Sequence, residues 1–220
     1  MKVLIFGGTG PAGLLLIKEA LSKGHTVVIY ARSPQKVPQD ITSNPSVTIV
    51  EGQLTDADAI SRATDGVHAV LSALGPPVAQ GVTYPSNTPL AQAYGLILDA
   101  MRKHDVKRII LLGTASMKDE QDKFSLQFKL LVTGVALFAH GAYKDVVAIG
   151  DFIRGQPEDV LWTIARVPLL TSGAGTNHIA GYIGDGKTNT KLSRAAFAVF
   201  VLQELEGNEW CRKSPMISSP

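Results

Sequence analysis

The stretch FGGTGPAG, residues 6–13, carries glycine at positions 7, 8, 10 and 13 and follows the apolar run VLIF. Gly8, Gly10 and Gly13 satisfy the spacing GxGxxG, and Gly7, Gly10 and Gly13 satisfy GxxGxxG. A turn of this kind suits one chemistry in particular, the approach of bare backbone N–H groups to a diphosphate. Glycine lets the chain turn tightly, and a following helix offers unpaired N–H groups and the positive end of its dipole to an anion. Thr9, Pro11 and Ala12 complete the turn, so Gly7 and residues 9–13 form the expected phosphate cradle. The plainer alternative is a glycine turn that serves the fold alone.

A second chemical signal lies downstream. NAD-specific folds place an acidic residue about 20 positions beyond the glycines, where it holds the ribose 2′-hydroxyl. The corresponding stretch here, YARSPQK (30–36), has no carboxylate and offers Arg32, Ser33 and Lys36 instead. A guanidinium can stack on adenine and pair with a 2′-phosphate, and Ser33 can donate a hydrogen bond. NADP(H) is therefore expected in preference to NAD(H). Otherwise Arg32 is a solvated surface residue.

The elements that must position these groups alternate along the chain. Apolar runs at 2–6, 25–31, 47–52, 67–74, 107–113 and 161–166 read as strands. Between them, helices are expected at 11–23, 56–64, 89–104, about 122–140 and 143–154, with a last one at 193–206. Continuous apolar strands separated by helices imply a parallel sheet covered on both faces, an α/β, Rossmann-like doubly wound fold. The pattern loosens past residue 168, where a small C-terminal substrate-side region is expected within a single domain spanning 1–220.

Composition narrows the function classes. Lys plus Arg number 21 and Asp plus Glu 19, giving a formal charge of +2 with no basic stripe, which argues against a nucleic-acid partner. Cys211 is the only cysteine, so no internal disulfide is possible, and this fits a reducing compartment. The apolar start is short and leads into glycines rather than a cleavage site, so a cytoplasmic location is expected. The ten apolar residues LLVTGVALFA (130–139) are too few to cross a bilayer; they read as a buried helix or a pocket wall, not a membrane or dimer contact. The loop GPPVAQGVTYPSNTP (75–89) follows a strand end and suits a ligand crevice. His178 stands alone in a polar loop, and no metal site is expected.

Taken together, GGTGPAG, ARSPQKV, EGQLTD and the strand ending in SALGP resemble the atypical short-chain dehydrogenase/reductases. The likeness is greatest to the NAD(P)H-binding, NmrA-like group that includes flavin reductases of the biliverdin reductase B type. WTIARVPLLTSG (162–173), YIGDG (182–186) and SRAAFAVFVLQELE (193–206) extend the resemblance over the whole chain. It implies that Gly52, Gln53 and Leu54 lie beside the adenine, that Ala73, Leu74 and Gly75 line the ribose and pyrophosphate, and that Val167 and Pro168 join the cofactor site. In that family the Gln53 position is often Asp.

The chain departs from the wider superfamily at the catalytic motif YxxxK, in which Lys holds the nicotinamide ribose and lowers the pKa of Tyr, the proton donor. The matching stretch is HGAYKDVV. Lys144 stands where that Lys belongs, but the residue four before it is His140. Tyr143 is adjacent to Lys144, about 100° away around a helix. Lys144 is the expected ribose ligand, unless it is a surface lysine. The proton would come from Tyr143, His140 or water, and each of these two side chains reads more readily as a structural or pocket residue than as the donor. Thr114 and Ser116, in GTAS after a strand, would hold the nicotinamide or a substrate oxygen, unless they only bond their own loop.

The expected function is an NADPH-dependent reductase passing hydride to a small, flat, partly apolar acceptor: a flavin, quinone, tetrapyrrole or carbonyl compound. The expected partner is a small molecule, with no membrane involved, and the protein would be a monomer or homodimer. Two alternatives stay open: an NADP(H)-binding redox-sensing regulator without catalysis, and a redox-neutral isomerase or cyclase on the same fold.

Overall fold

The computed structural model describes residues 1–76, 81 and 83–220. The elements run β1 (Lys2–Phe6), α1 (Pro11–Ser22), β2 (Thr26–Ala31), α2 (Gln39–Thr42), β3 (Val47–Glu51), α3 (Ala57–Thr64), β4 (Ala69–Ser72), α4 (Pro89–Lys103) and β5 (Arg108–Thr114). They continue with α5 (Leu126–Phe138), α6 (His140–Arg154), β6 (Leu161–Val167), β7 (Leu169–Thr171), β8 (Ile179–Gly181), β9 (Lys191–Ser193), α7 (Arg194–Gly207) and β10 (Met216–Ser218).

Eight strands form one sheet in the order β3-β2-β1-β4-β5-β6-β10-β8. The pairs from β3 through β10 are parallel, and β8 closes the edge antiparallel to β10. Side chains alternate across each strand, so Val3 and Ile5 meet one helical layer while Leu4 and Phe6 meet the other. On the first face Leu16 and Ile17 of α1 pack with Phe197 and Val201 of α7. On the second, Ile60 of α3, Tyr94 and Ile97 of α4, and Ile149 and Ile153 of α6 complete the core. This is the expected doubly wound α/β fold.

Several local expectations change. The fourth strand covers 69–72 rather than 67–74. The two helical stretches meet at Ala139 with a bend of 117°, so His140 opens α6 instead of closing the preceding helix. The run 130–139 is not buried. Within α5 only Phe128 is buried, packing with Ala115, Ile183 and Met216, while Leu130, Leu137 and Phe138 face outward. Past residue 168, β7 and β9 make a small parallel pair, α7 lies against α1, and β10 returns to the main sheet beside β6. Of the 75–89 loop, residues 77–80 and 82 lie outside the described residues.

Candidate functional site

The strand order reverses between β1 and β4, where one connection leaves toward β2 and the next crosses to the other side. In open α/β sheets a crevice opens at such a point, beyond the carboxyl ends of the strands. The glycine turn lies there. Gly7 has φ +75°, and a Cβ on it would come within 2.8 Å of the Ala73 carbonyl carbon. The turn after β1 and the segment after β4 therefore touch backbone to backbone. A Cβ on Gly13 would overlap the Gly7 carbonyl, so α1 can start where it does only with glycine at this position. Gly10 is different: a methyl there would have the Gly7 oxygen as its nearest neighbour, 3.4 Å away, an ordinary contact. Glycine at 7 and 13 serves the fold, and glycine at 10 keeps a surface bare.

Helix α1 begins at Pro11 with Gly10 as its N-cap, and no side chain caps it. The first-turn N–H groups of an α-helix have no internal partner. Asp56 caps α3 and Ser193 caps α7, whereas the starts of α2, α5 and α6, like that of α1, have no side-chain cap from the N-cap residue. The turn formed by Gly7, Thr9, Gly10, Pro11, Ala12 and Gly13 thus leaves donors and a dipole end facing the crevice, which fits a diphosphate.

The remaining positions are set by neighbouring strands. Arg32 follows β2, is exposed, and has no ion pair or hydrogen bond among the described residues. Ser33 caps a 3-10 turn at 34–36 through its carbonyl, which accepts from Lys36 N. Gln53 is exposed and Leu54 half-buried. The Gln53 carbonyl accepts from the Tyr30 hydroxyl at 2.7 Å. Burial first, and then the Asp56 carboxylate, push the Tyr30 phenol up to about 12, so it remains a donor. Ala73, Leu74 and Gly75 follow β4, where Ser72 Oγ accepts from Leu74 N at 3.3 Å and pairs with the buried Tyr94 hydroxyl at 2.7 Å. Tyr30 and Tyr94 are positioning residues that reading the sequence missed, because each works through a strand end remote in the chain.

Thr114 ends β5 in register with Val167 at the end of β6, and Pro168 follows, buried. Thr114 Oγ1 accepts from Ser116 N at 3.2 Å, so this side chain does bond its own loop. Ser116 is buried. The first turn of α6 carries His140, exposed, Tyr143, half-buried, and Lys144, exposed. Their side chains have no hydrogen-bond or ion-pair partner among the described residues, and His140 and Lys144 share the one-turn spacing at which a Tyr/Lys pair would sit.

A further residue was not anticipated. Asp145 is fully buried and accepts three hydrogen bonds: from the Tyr84 hydroxyl at 2.6 Å, Leu90 N at 2.9 Å and Ala91 N at 2.8 Å. It caps α4 in place of Thr88, which sits in the left-handed region at φ 51° and offers no side-chain cap. It also ties the loop after β4 to the helix bearing Lys144. Gly141 completes this seam, since a Cβ there would come within 2.6 Å of the Tyr84 carbonyl. An acid directly beside Lys144 was the available signal, but its partners lie 54–61 residues away.

Two surface cavities lie elsewhere. One, of about 480 Å³, is lined by residues including His178, Phe200 and Trp210, and the other, of about 440 Å³, by residues including Arg154, Trp162 and Arg212. None of the candidate site residues lines either. Among the described residues, no cluster of three His, Cys, Asp or Glu side chains could hold a metal ion.

The NAD(P)H-binding family model matches residues 7–208. The chain belongs to the NAD(P)H-binding family. It is 33% identical over 172 residues to a 3β-hydroxysteroid dehydrogenase/Δ5→4-isomerase of Mycobacterium tuberculosis, covering 74% of this chain and 37% of that protein. It is 31% identical over 126 residues to isoeugenol synthase 1 of Clarkia breweri, covering 54% of this chain and 36% of that protein. The chain thus spans little more than a third of the length of these relatives. Solved structures share its fold. A short-chain dehydrogenase/reductase of Veillonella parvula in complex with NADP gives a TM-score of 0.80 at 15% identity, covering 100% of this chain and 94% of that one. An anaerobillin reductase of Escherichia coli gives 0.74 at 17% identity, covering 100% and 98%. The family member is thus an NAD(P)H-binding chain on an oxidoreductase-type fold, as the sequence resemblance implied.

Proposed function

We propose that this protein is an NADPH-dependent reductase whose hydride acceptor is a small, flat, partly apolar molecule. The observation that carries this reading is Arg32, exposed and unpaired among the described residues at the carboxyl end of β2, beside a helix start left without a side-chain cap. A fixed positive charge at that place favours a 2′-phosphate over a bare ribose hydroxyl, and bidentate pairing strengthens the choice.

The residues present fit the cofactor. The turn at 7–13 would take the pyrophosphate, Arg32 and Ser33 the 2′-phosphate, and Gln53 with Leu54 the adenine. Ala73 to Gly75, Thr114, Val167 and Pro168 would line the path toward the nicotinamide. Bound there, NADPH supplies the hydride from nicotinamide C4. Lys144 would hold the nicotinamide ribose and keep the ring in orientation. Tyr143 or His140, both on the first turn of α6, would deliver a proton to the reduced acceptor. Ser116 would hold a substrate oxygen. Asp145 contributes by fixing α6 against α4, so that His140, Tyr143 and Lys144 keep their places.

Mixing the protein with NADPH and a panel of flavins, quinones, tetrapyrroles and ketones, and following NADPH fluorescence by stopped flow, tests the reading. Oxidation with one acceptor class is expected. Tight NADPH binding with no oxidation by any acceptor would favour a regulator that senses the NADP(H) state, a reading that His140 in the usual Tyr position supports.

A further inference from the structure

Among the described residues, helix α5 presents an apolar face left exposed. Leu126, Leu130 and Leu137 recur at i, i+4 and i+11, on the side opposite the buried Phe128. Each is at least 60% exposed, as are Phe124 just before the helix and Phe138 at its end. The inner side already packs through Phe128, Leu131 and Val132. Apart from Gln127, Lys129 and Thr133 the helix is apolar, yet only one side of it is covered. Such helices belong either in a core or in lipid, and an exposed apolar patch of this kind marks an interaction surface.

Charge selects the occupant. Residues 123–143 hold Lys123, Lys129 and His140 and no carboxylate. Lys129 Nζ lies over the Phe124 ring, 5.9 Å from its centre, so a cation and an aromatic face sit together at the start of the patch. The closest acid in sequence, Asp122, is consumed by Arg166 at 2.6 Å. In a two-fold pairing of this face, residues 123–143 of one copy offer no carboxylate to the lysines of the other. An anionic lipid surface neutralises those lysines and receives the leucines at the same time. Thirteen residues of helix reach about 20 Å, short of the roughly 30 Å of hydrocarbon in a bilayer. Among the described residues no single helix is long and apolar enough to cross a membrane, and α5 and α6 diverge by 117°. The helix would lie in the plane of the interface.

We propose that α5 docks this protein on the surface of anionic membranes, with Phe124, Leu126, Leu130, Leu137 and Phe138 in the acyl boundary and Lys123 and Lys129 at the headgroups. This inference rests on α5 alone and not on the reductase reading.

Co-sedimentation of the full chain with sucrose-loaded vesicles tests it, using phosphatidylcholine alone and phosphatidylcholine mixed two parts to one with phosphatidylserine. Binding about tenfold tighter to the mixed vesicles is expected. The double variant Leu130→Ser/Leu137→Ser should lose binding to both. Lys123→Glu/Lys129→Glu should lose the preference for phosphatidylserine. All four side chains are exposed, so an unchanged circular dichroism spectrum and thermal midpoint will show that each variant folds. No binding to either vesicle, equal binding to both, or full binding by the leucine variant would each overturn the proposal. So would a dimer in light scattering that Leu130→Ser/Leu137→Ser dissociates, which would assign the face to a second copy.

Discussion

The Tyr84 hydroxyl donates to the Asp145 carboxylate at 2.6 Å, across 61 residues of sequence. The same carboxylate caps α4 through Leu90 N and Ala91 N, so one buried side chain joins the loop after β4, the start of α4 and the helix that carries Lys144. Asp145→Ala leaves three donors without a partner in the interior. A loss of about 3 kcal/mol in urea unfolding is expected, since a stranded buried donor costs about 1–3 kcal/mol. Tyr84→Phe removes one donor along with its bond and should cost about 1 kcal/mol. Equal effects of the two substitutions would contradict this account of the seam.

The tyrosines give a pH signature. Burial, aided by Asp56, pushes Tyr30 up to about 12. Burial also raises Tyr84, with the Asp145 hydrogen bond adding to it, and raises Tyr94 against the opposing effect of Ser72. In each case the folded state holds the phenolic proton more tightly than the unfolded chain. The stability this contributes is complete below the unfolded value of about 10 and is lost as pH rises through the folded values. Burial raises Tyr182 as well, so alkaline difference absorbance should show these four of the five tyrosines titrating late, in step with unfolding. The late fraction should shrink by one in Tyr84→Phe.

Asp122 governs the acid limb. Burial pushes its carboxyl up, but the hydrogen bonds and charge of Arg166 outweigh that and hold it below the usual carboxylate range. Arg166 is fully buried and also donates to the carbonyls of Met117 and Ser214. Because the folded pKa is depressed, the pair's contribution is present above about pH 4 and is lost as pH falls through the folded value. Asp122→Asn strands a buried guanidinium and should cost about 3 kcal/mol or more at neutral pH. The variant should also lose part of the acid dependence of unfolding seen in the parent.

The glycines of the first turn separate fold from ligand. Gly13→Ala forces a methyl into the Gly7 carbonyl, and Gly7→Ala adds strain at φ +75°. Both should unfold several degrees lower in a thermal scan. Gly10→Ala meets only an ordinary contact at 3.4 Å and should keep its thermal midpoint while binding NADPH about tenfold or more weakly. A stable Gly10→Ala protein with unchanged affinity would remove the turn from the cofactor site.

At the reacting end, Lys144→Met should raise the KM for NADPH with a smaller effect on kcat. Tyr143→Phe and His140→Gln should separate the two proton donors, because the true donor loses kcat by about 100-fold or more and flattens the pH profile. If neither substitution lowers kcat, the proton comes from water.

Sequence reading goes far where the signal is local. The glycine turn, the strand-helix alternation and the start of α3 near residue 56 all depend on neighbours within a few residues. It falls short where partners are distant. Strand β10 is three residues long and joins the sheet by one register pair, Met216 with Arg166, so no periodicity could announce it. Asp145, Tyr30 and Tyr94 act through hydrogen bonds to other elements. The run 130–139 misled for a different reason: apolar character suggests burial, yet α5 has core contacts on one side only. The Thr114 side chain was open to two readings, and its bond to Ser116 N is the local one.

The central claim concerns the group that follows β2. Calorimetric titration of NADPH and NADH into the parent protein and into Arg32→Ala tests it most directly. Charge-assisted pairing predicts that the parent binds NADPH about ten- to a hundredfold more tightly than NADH, and that the gap closes in Arg32→Ala while NADH affinity stays the same. Equal affinities in the parent, a gap that survives the substitution, or no heat with either nucleotide would contradict it.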